Sequence, residues 1–215
     1  MIYPYYKKDN GKTVLYEEQE LKNQFPYCYE YFSSLKKRLA SRGSASMKYP
    51  SWYSLWNFRN IDNLSVERIL TPDVCYGATM YLDSGEHYPN DTSYAFVLKN
   101  PDSNLYKTYL AILNSPIIWF YLKETGTSLR GGYFRFKTKY LENFPLPTAT
   151  PQQQQTLSAL ADQMLAAHTQ LASAKSDADK KTLQQRIAIL NAQINAQVYA
   201  LYGLSSEEIA VVEGA

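Results

Sequence analysis

Two periods divide the chain. From Pro151 onward, apolar residues recur every three to four positions. Leu157, Leu160, Met164, Ala167 and Leu171 form one stripe, and Leu183, Ile187, Leu190, Ile194, Val198 and Leu201 form a second. Between them, AKSDADKK (174–181) is polar and aperiodic. The pattern predicts an antiparallel helical hairpin with arms of about 35 Å, at about 1.5 Å per residue. Thr150 stands where it can cap the first arm ahead of Pro151, Asp177 where it can cap the second, and Gly203 where it can end it. Ser205 with Glu208 predicts a capping box and one last helical turn.

Before Leu146–Gln155 (LPTATPQQQQ) the periods are shorter and mixed. Glu17 to Arg42 reads as one helix, ending in the Gly-Ser segment SRGSAS. Short strands are predicted over 68–70, 78–82 and 94–98, separated by turn clusters such as DSGEHYPND. Leu105–Leu113 reads as a helix, and Asn114-Ser115-Pro116 as a break in which Ser115 caps a second helix with Pro116 at its first position. The segment YFRFKTKY (133–140) alternates with period two. Tyr133, Arg135, Lys137 and Lys139 then share one face, and Phe134, Phe136, Thr138 and Tyr140 the other. The expectation is an α+β chain: a mixed α/β domain of short, twisted strands over residues 1–148, followed by a C-terminal antiparallel helical hairpin over 149–215.

Composition adds a charge asymmetry. The 215 residues carry a net charge of +2, divided into +4 over residues 1–150 and −2 over 151–215. That is far from the dense positivity of a protein that holds nucleic acid by charge alone. Tyrosine is abundant, with 20 residues, 18 of them before residue 150. An excess of Tyr suits either strands or a surface that contacts something wet and flat. Cys28 and Cys75 have no metal-ligand spacing and are expected to be reduced, partly buried thiols. The longest apolar run, PIIWFYL (116–122), is too short for a bilayer, and the start MIYPYYKKDN has no signal-peptide core, so the expected location is the cytoplasm.

Catalytic motifs are scarce. The two histidines, His87 and His168, cannot form a histidine metal cluster; His168 falls in the helical segment, and His87 in a turn near Asp83, Glu86 and Asp91 that reads as solvated. No P-loop, Gly-rich phosphate loop or nucleophile elbow is present, and Gly131-Gly132 precedes a strand rather than a helix. The basic face of 133–140, with Arg130 just upstream, is the more informative feature. Same-face residues on a strand lie about 6.6 Å apart, roughly the spacing of phosphates along one DNA strand. An edge strand protected by lysines gives the same pattern. A second basic-aromatic cluster, MKYPSWYSLWNFRN (47–60), offers Lys48, Tyr53 and Arg59 as surface candidates and Trp56 and Phe58 as apolar anchors.

The order of these segments resembles the TaqI-like C-terminal specificity domain of restriction–modification enzymes and related adenine methyltransferases. The resemblance runs from ELKNQFPYCYEYFSSLKKRLASR through WYSLWNFRN, ERILTPDVC, LAILNSPIIWFYLKETG and GGYFRFKTKYLENFPLP to INAQVYALYGLSSEEIAVVEG. It implies a target-recognition domain that docks on double-stranded DNA and supplies sequence specificity to a methyltransferase catalytic domain, in the same chain or a separate subunit. Arg130, Tyr133, Arg135, Lys137, Lys139, Lys48, Tyr53 and Arg59 become its DNA-contact candidates. S-adenosylmethionine and an Asn-Pro-Pro-Tyr-type motif belong to the catalytic domain in such systems. Neither that tetrapeptide nor a Gly-rich donor loop occurs here, so the chain is expected to be a C-terminal or stand-alone specificity piece without catalytic residues, cofactor or metal of its own. Two other readings stay open: a protein-interaction scaffold dimerising through the hairpin, and a glycan-binding module using its aromatic clusters as stacking platforms.

Overall fold

The computed structural model describes residues 2–43, 49–56, 62, 65–89 and 92–214. They form two compact units, Met1–Val66 and Glu67–Ala215. The architecture is α+β: short antiparallel strands in small sheets, and helices that include a long C-terminal pair.

In the first unit, β1 (Tyr5–Lys7) and β2 (Thr13–Leu15) make an antiparallel hairpin with Tyr5 opposite Leu15. Three short helices follow, α1 (Glu18–Gln24), α2 (Pro26–Ser34) and α3 (Lys36–Ala40), where the pattern predicted one. The first break has a clear cause: Phe25 precedes a proline, whose ring disfavours helical geometry at that residue, and it adopts φ −132° and ψ 62°. A second break falls at Leu35. Leu21, Phe32 and Tyr53 are the buried centre, with Trp52, Tyr29, Tyr16 and Leu39 packed around them. The Arg42 guanidinium donates to the carbonyls of Leu39 (2.8 Å), Trp52 (2.9 Å) and Ser54 (3.0 Å), fixing 52–54 onto the end of α3.

The second unit opens with β3 (Arg68–Pro72), which runs through Asp73 into β4 (Val74–Cys75). Next come β5 (Tyr81–Asp83), β6 (Ser93–Phe96), α4 (Ser103–Leu113), α5 (Pro116–Thr125), β7 (Ser128–Leu129), β8 (Tyr133–Arg135) and α6 (Thr138–Leu141). One antiparallel sheet has the order β5-β3-β6 and the other β4-β8-β7. Asp73 joins them: its N–H donates to the Thr92 carbonyl and its carbonyl accepts from Phe136 N–H. Ser115 is the N-cap residue of α5 by position, but its hydroxyl turns back to the Ile112 carbonyl (2.7 Å) instead of capping.

The hairpin arms are α7 (Pro151–Ser173) and α8 (Asp177–Tyr202), with α9 (Ser206–Glu213) after them. Thr150 and Gln153 form a capping box, as do Ser205 and Glu208, and Gly203 takes the left-handed conformation with φ +68°. Ser176, not Asp177, caps α8. The stripes point as predicted, and they are covered within the unit: α7 packs on both α8 and α4. Leu157, Ile194 and Val198 share one core with Ile112, Ile118, Leu122 and Phe136. Lys107 pairs with Asp162 (2.7 Å), and Ser158 donates to Asn104 (2.9 Å) across the α4–α7 contact. Each apolar side chain fully buried in that core contributes about 1.5–3 kcal/mol.

Candidate nucleic-acid interface

The site begins with a tight turn. Leu129 pairs with Tyr133, leaving Arg130, Gly131 and Gly132 as a three-residue loop between β7 and β8. Gly131 and Gly132 adopt φ +87° and +79°, a region that residues with a Cβ resist. A Cβ on Gly132 would also meet the Tyr76 ring at 3.1 Å. The glycine pair thus closes a hairpin and lifts Arg130 to its exposed tip.

Beside this turn, the sheet carries an exposed apolar surface. Tyr76 (69% exposed), Tyr133 (45%), Val74 and Leu129 all face solvent in part. The Tyr76 ring lies 5.8 Å from Tyr133 and 6.2 Å from Trp119, and Trp119 meets Phe134 edge-on at 5.3 Å. The sequence did not mark Tyr76, Val74 or Leu129, because exposure here depends on which strands pair. β8 is the central strand of its sheet, between β4 and β7, so the reading of it as a lysine-guarded edge strand does not hold.

The predicted continuous strand face is also corrected. β8 ends at Arg135, where Phe136 turns inward, fully buried, with its N–H on the Asp73 carbonyl. Lys137 is the N-cap residue of α6 and Lys139 lies within it. Tyr133 and Arg135 therefore sit on a strand, and Lys137 and Lys139 at a helix.

Arg135 is not a free cation. It forms a bidentate pair with Asp73, with Nε donating to Oδ1 at 3.1 Å and a second N–H donating to Oδ2. The bonds from Arg135 hold the Asp73 carboxyl below its ordinary range against the opposing effect of burial, and the Lys137 charge adds to the depression. Tyr140 is a second focus. Its hydroxyl bonds to Thr127, which lowers its pKa, and the Lys139 ammonium, 4.5 Å from its ring centre, acts in the same direction with Lys137. Arg135, Lys137 and Lys139 are thus gathered around Asp73 and Tyr140, two partners that the sequence reading did not assign.

The 47–60 cluster fares differently. Tyr53, read as a surface residue, is buried: its ring stacks near Phe32 and its hydroxyl donates to the Tyr16 carbonyl at 2.7 Å. Trp56, read as an anchor, is 56% exposed, and Trp52 packs against Tyr29 and Tyr53 instead. Which of Trp52, Tyr53 and Trp56 faces the core depends on the turn geometry of 51–56, which pattern alone does not give. Lys48, Phe58 and Arg59 lie outside the described residues. The first unit nevertheless holds the chain's positive excess, with ten Lys and Arg against six Asp and Glu, while the second has twelve against fourteen. Its α2 exposes Tyr27 (85%) and Tyr31 (57%).

Cys28 and Cys75 are free, and burial pushes the Cys75 thiol up to about 11, which disfavours its reactive thiolate. Among the described residues, no three His, Cys, Asp or Glu side chains converge as metal ligands, and no helix is long and apolar enough to cross a membrane.

The family model for the TaqI-like C-terminal specificity domain matches residues 11–146, well over half of the chain. The chain belongs to this family. The matched span takes in β2, the β5-β3-β6 and β4-β8-β7 sheets, α1 to α6 and the β7–β8 turn. The chain is also similar to the type II methyltransferase M.PaeR7I of Pseudomonas aeruginosa, at 26% identity over 89% of this chain and 29% of that protein. The type II methyltransferase M.BstVI of Geobacillus stearothermophilus matches at 22% over 90% of this chain and 30% of its own length. The type II restriction enzyme and methyltransferase RM.Eco57I of Escherichia coli matches at 25% over 69% of this chain and 16% of its own. The chain thus spans less than a third of the length of these relatives.

Proposed function

We infer that the chain is the sequence-specific duplex-DNA recognition module of a restriction–modification methyltransferase, one that modifies adenine at N6. The observation that carries this reading is the exposed Arg130 turn beside Tyr76 and Tyr133, in a chain that belongs to a family of specificity domains. Arg130, Lys137 and Lys139 are assigned to phosphates, which fix register, and the aromatic surface to the groove. A methyltransferase domain on the same chain or another subunit would extrude the target adenine from the duplex. S-adenosylmethionine is assigned to that domain, since the Gly-Gly pair here closes a β-hairpin and opens no helix.

Burial of Leu157, Leu190, Ile194 and Val198 within the chain itself favours the DNA reading over a scaffold that dimerises through the hairpin. For the DNA reading, affinity for duplex should fall linearly with salt on logarithmic axes. Replacing Arg130, Lys137 and Lys139 by alanine should reduce that slope by about one for each phosphate that is no longer neutralised. An absence of duplex binding at low salt, or a slope unchanged by the triple variant, counts against the reading or against these residues respectively.

A further inference from the structure

The β5-β3-β6 sheet contains a buried ion pair whose hydrogen bonds converge on one exposed side chain. Arg68 and Asp83 face each other across β3 and β5, with side chains 0% and 1% exposed. Arg68 Nε donates to Asp83 Oδ2 at 2.9 Å, and an Nη2 N–H donates to the backbone carbonyl of His87. Asp83 Oδ1 accepts the His87 backbone N–H at 3.2 Å and bonds its ring Nδ1 at 2.7 Å. The His87 side chain is itself 62% exposed. The sequence reading of a solvated turn therefore describes only the outside of this loop.

Taking two charges out of water costs several kcal/mol per ion before attraction and hydrogen bonds offset it. Fixing the loop needs only the two backbone bonds to His87. The additional bond to Nδ1 does something else: it sets the orientation of a ring that points away from the core. Burial raises the Asp83 pKa, but the bonds from His87 and Arg68 outweigh it, so the carboxyl lies below its ordinary range and stays ionised. A carboxylate only accepts, so Nδ1 carries the hydrogen, and in the imidazole form of the ring Nε2 is the nitrogen left to accept. The ring lines a cavity of about 400 Å³ with Thr71, Tyr81, Tyr88, Thr92 and Ser93. Tyr81 stands edge-on to it, with centroids 5.7 Å apart, and Tyr81 and Tyr88 are about half exposed.

We propose that this cavity reads one base pair of the DNA site, with His87 Nε2 accepting a hydrogen bond from an exocyclic amine, adenine N6 or cytosine N4, in the major groove. Those amines are the base-edge donors there, and an acceptor held rigidly at one position discriminates them from the carbonyls of thymine and guanine. Tyr81 and Tyr88 flank the amine-bearing base. Arg68 and Asp83 position the ring and touch no DNA. This proposal rests on the DNA-recognition reading and adds a residue that the basic hairpin does not include.

The test selects binding sites from randomised duplexes with the 215-residue chain and with His87→Ala, and follows the melting temperature and salt slope of both. The expected result is a loss of selectivity of about 5- to 150-fold at one A·T or C·G pair, with the salt slope unchanged and the melting temperature lowered but the chain still folded, since Asp83 keeps Arg68 and the backbone N–H of residue 87. In a duplex whose base at that position lacks the amine (purine for adenine, 2-pyrimidinone for cytosine), the wild-type chain should lose the same factor and His87→Ala nothing further. If His87→Ala selects the same site with the same affinity, the proposal is overturned and the recognition reading stands. If the base analogue weakens both proteins equally, His87 is not the amine's partner. If the wild-type chain selects no sequence at all, both fall.

Discussion

Arg135 and Lys137 look interchangeable in sequence, and the structure gives them different work. The Asp73 carboxylate, only 7% exposed, has Arg135 as its bidentate partner. Arg135→Ala leaves that charge without its main donor and should lower the melting temperature measurably. Lys137 forms no ion pair among the described residues, so Lys137→Ala should weaken duplex binding and leave the melting temperature within error. Equal effects of the two variants on melting temperature would refute this division. Asp73 and Asp83 also set the acid limit. Both have native pKa values below the unfolded value of about 4, so the stability they add is complete above that pH and is lost as pH falls through the native values. Thermal melts from about pH 6 to about pH 2 should show a steep decline below about pH 4, shallower in Asp73→Asn; a flat profile would mean that neither pair contributes.

Among the elements, the β7–β8 turn and the C-terminal helices differ in how far local sequence decides them. The helices carry their caps in their own letters. The Thr150 cap and the Ser205–Glu208 capping box were legible because each satisfies backbone donors within one helical turn; the structure adds Gln153 as the partner of Thr150. The strand over 133–140 was cut short by a distant group: Asp73 captures Phe136, and period two cannot anticipate a partner so far off in the chain. At the turn, Gly132→Ala meets both a positive φ and the Tyr76 ring. The expected cost is about 1–2 kcal/mol for the left-handed conformation alone. Because the turn carries Arg130, duplex affinity should fall as well, while Gly203→Ala, with open space around its Cβ, should affect stability without affecting binding.

For the molecule as a whole, the division that matters is Val66/Glu67, and the hairpin is part of the second unit's core. Ile194→Ala removes side-chain volume from the same core that holds Ile112, Leu122 and Phe136. It should cost about 2–5 kcal/mol and lower the melting transition of both sheets together with the helices. Hydrogen exchange would check this: slowed exchange retained at 68–72 and 133–135 while α8 exchanges freely would show the hairpin to be an independent body. The charge distribution belongs to this scale too. The positive excess lies in Met1–Val66, whereas the Arg130 hairpin lies in a unit with slightly more acids than bases. Under the proposed DNA-recognition role, steering toward a polyanion would fall to Met1–Val66 and local contact to the Arg130 hairpin.

By itself the sequence determined the α+β class, the helical hairpin with its Thr150 cap and Gly203 stop, the Ser205–Glu208 capping box and the order of motifs that marks the family. These depend on periodicity and on interactions a few residues apart, and such information is written locally. Tertiary structure alone decided that Tyr53 is core and Trp56 exposed, that Arg135 belongs to Asp73, and that Arg68 and Asp83 converge on His87. Each of those depends on which strands pair and which face is covered, and burial converts a charged or aromatic residue from a free surface group into a fixed structural one.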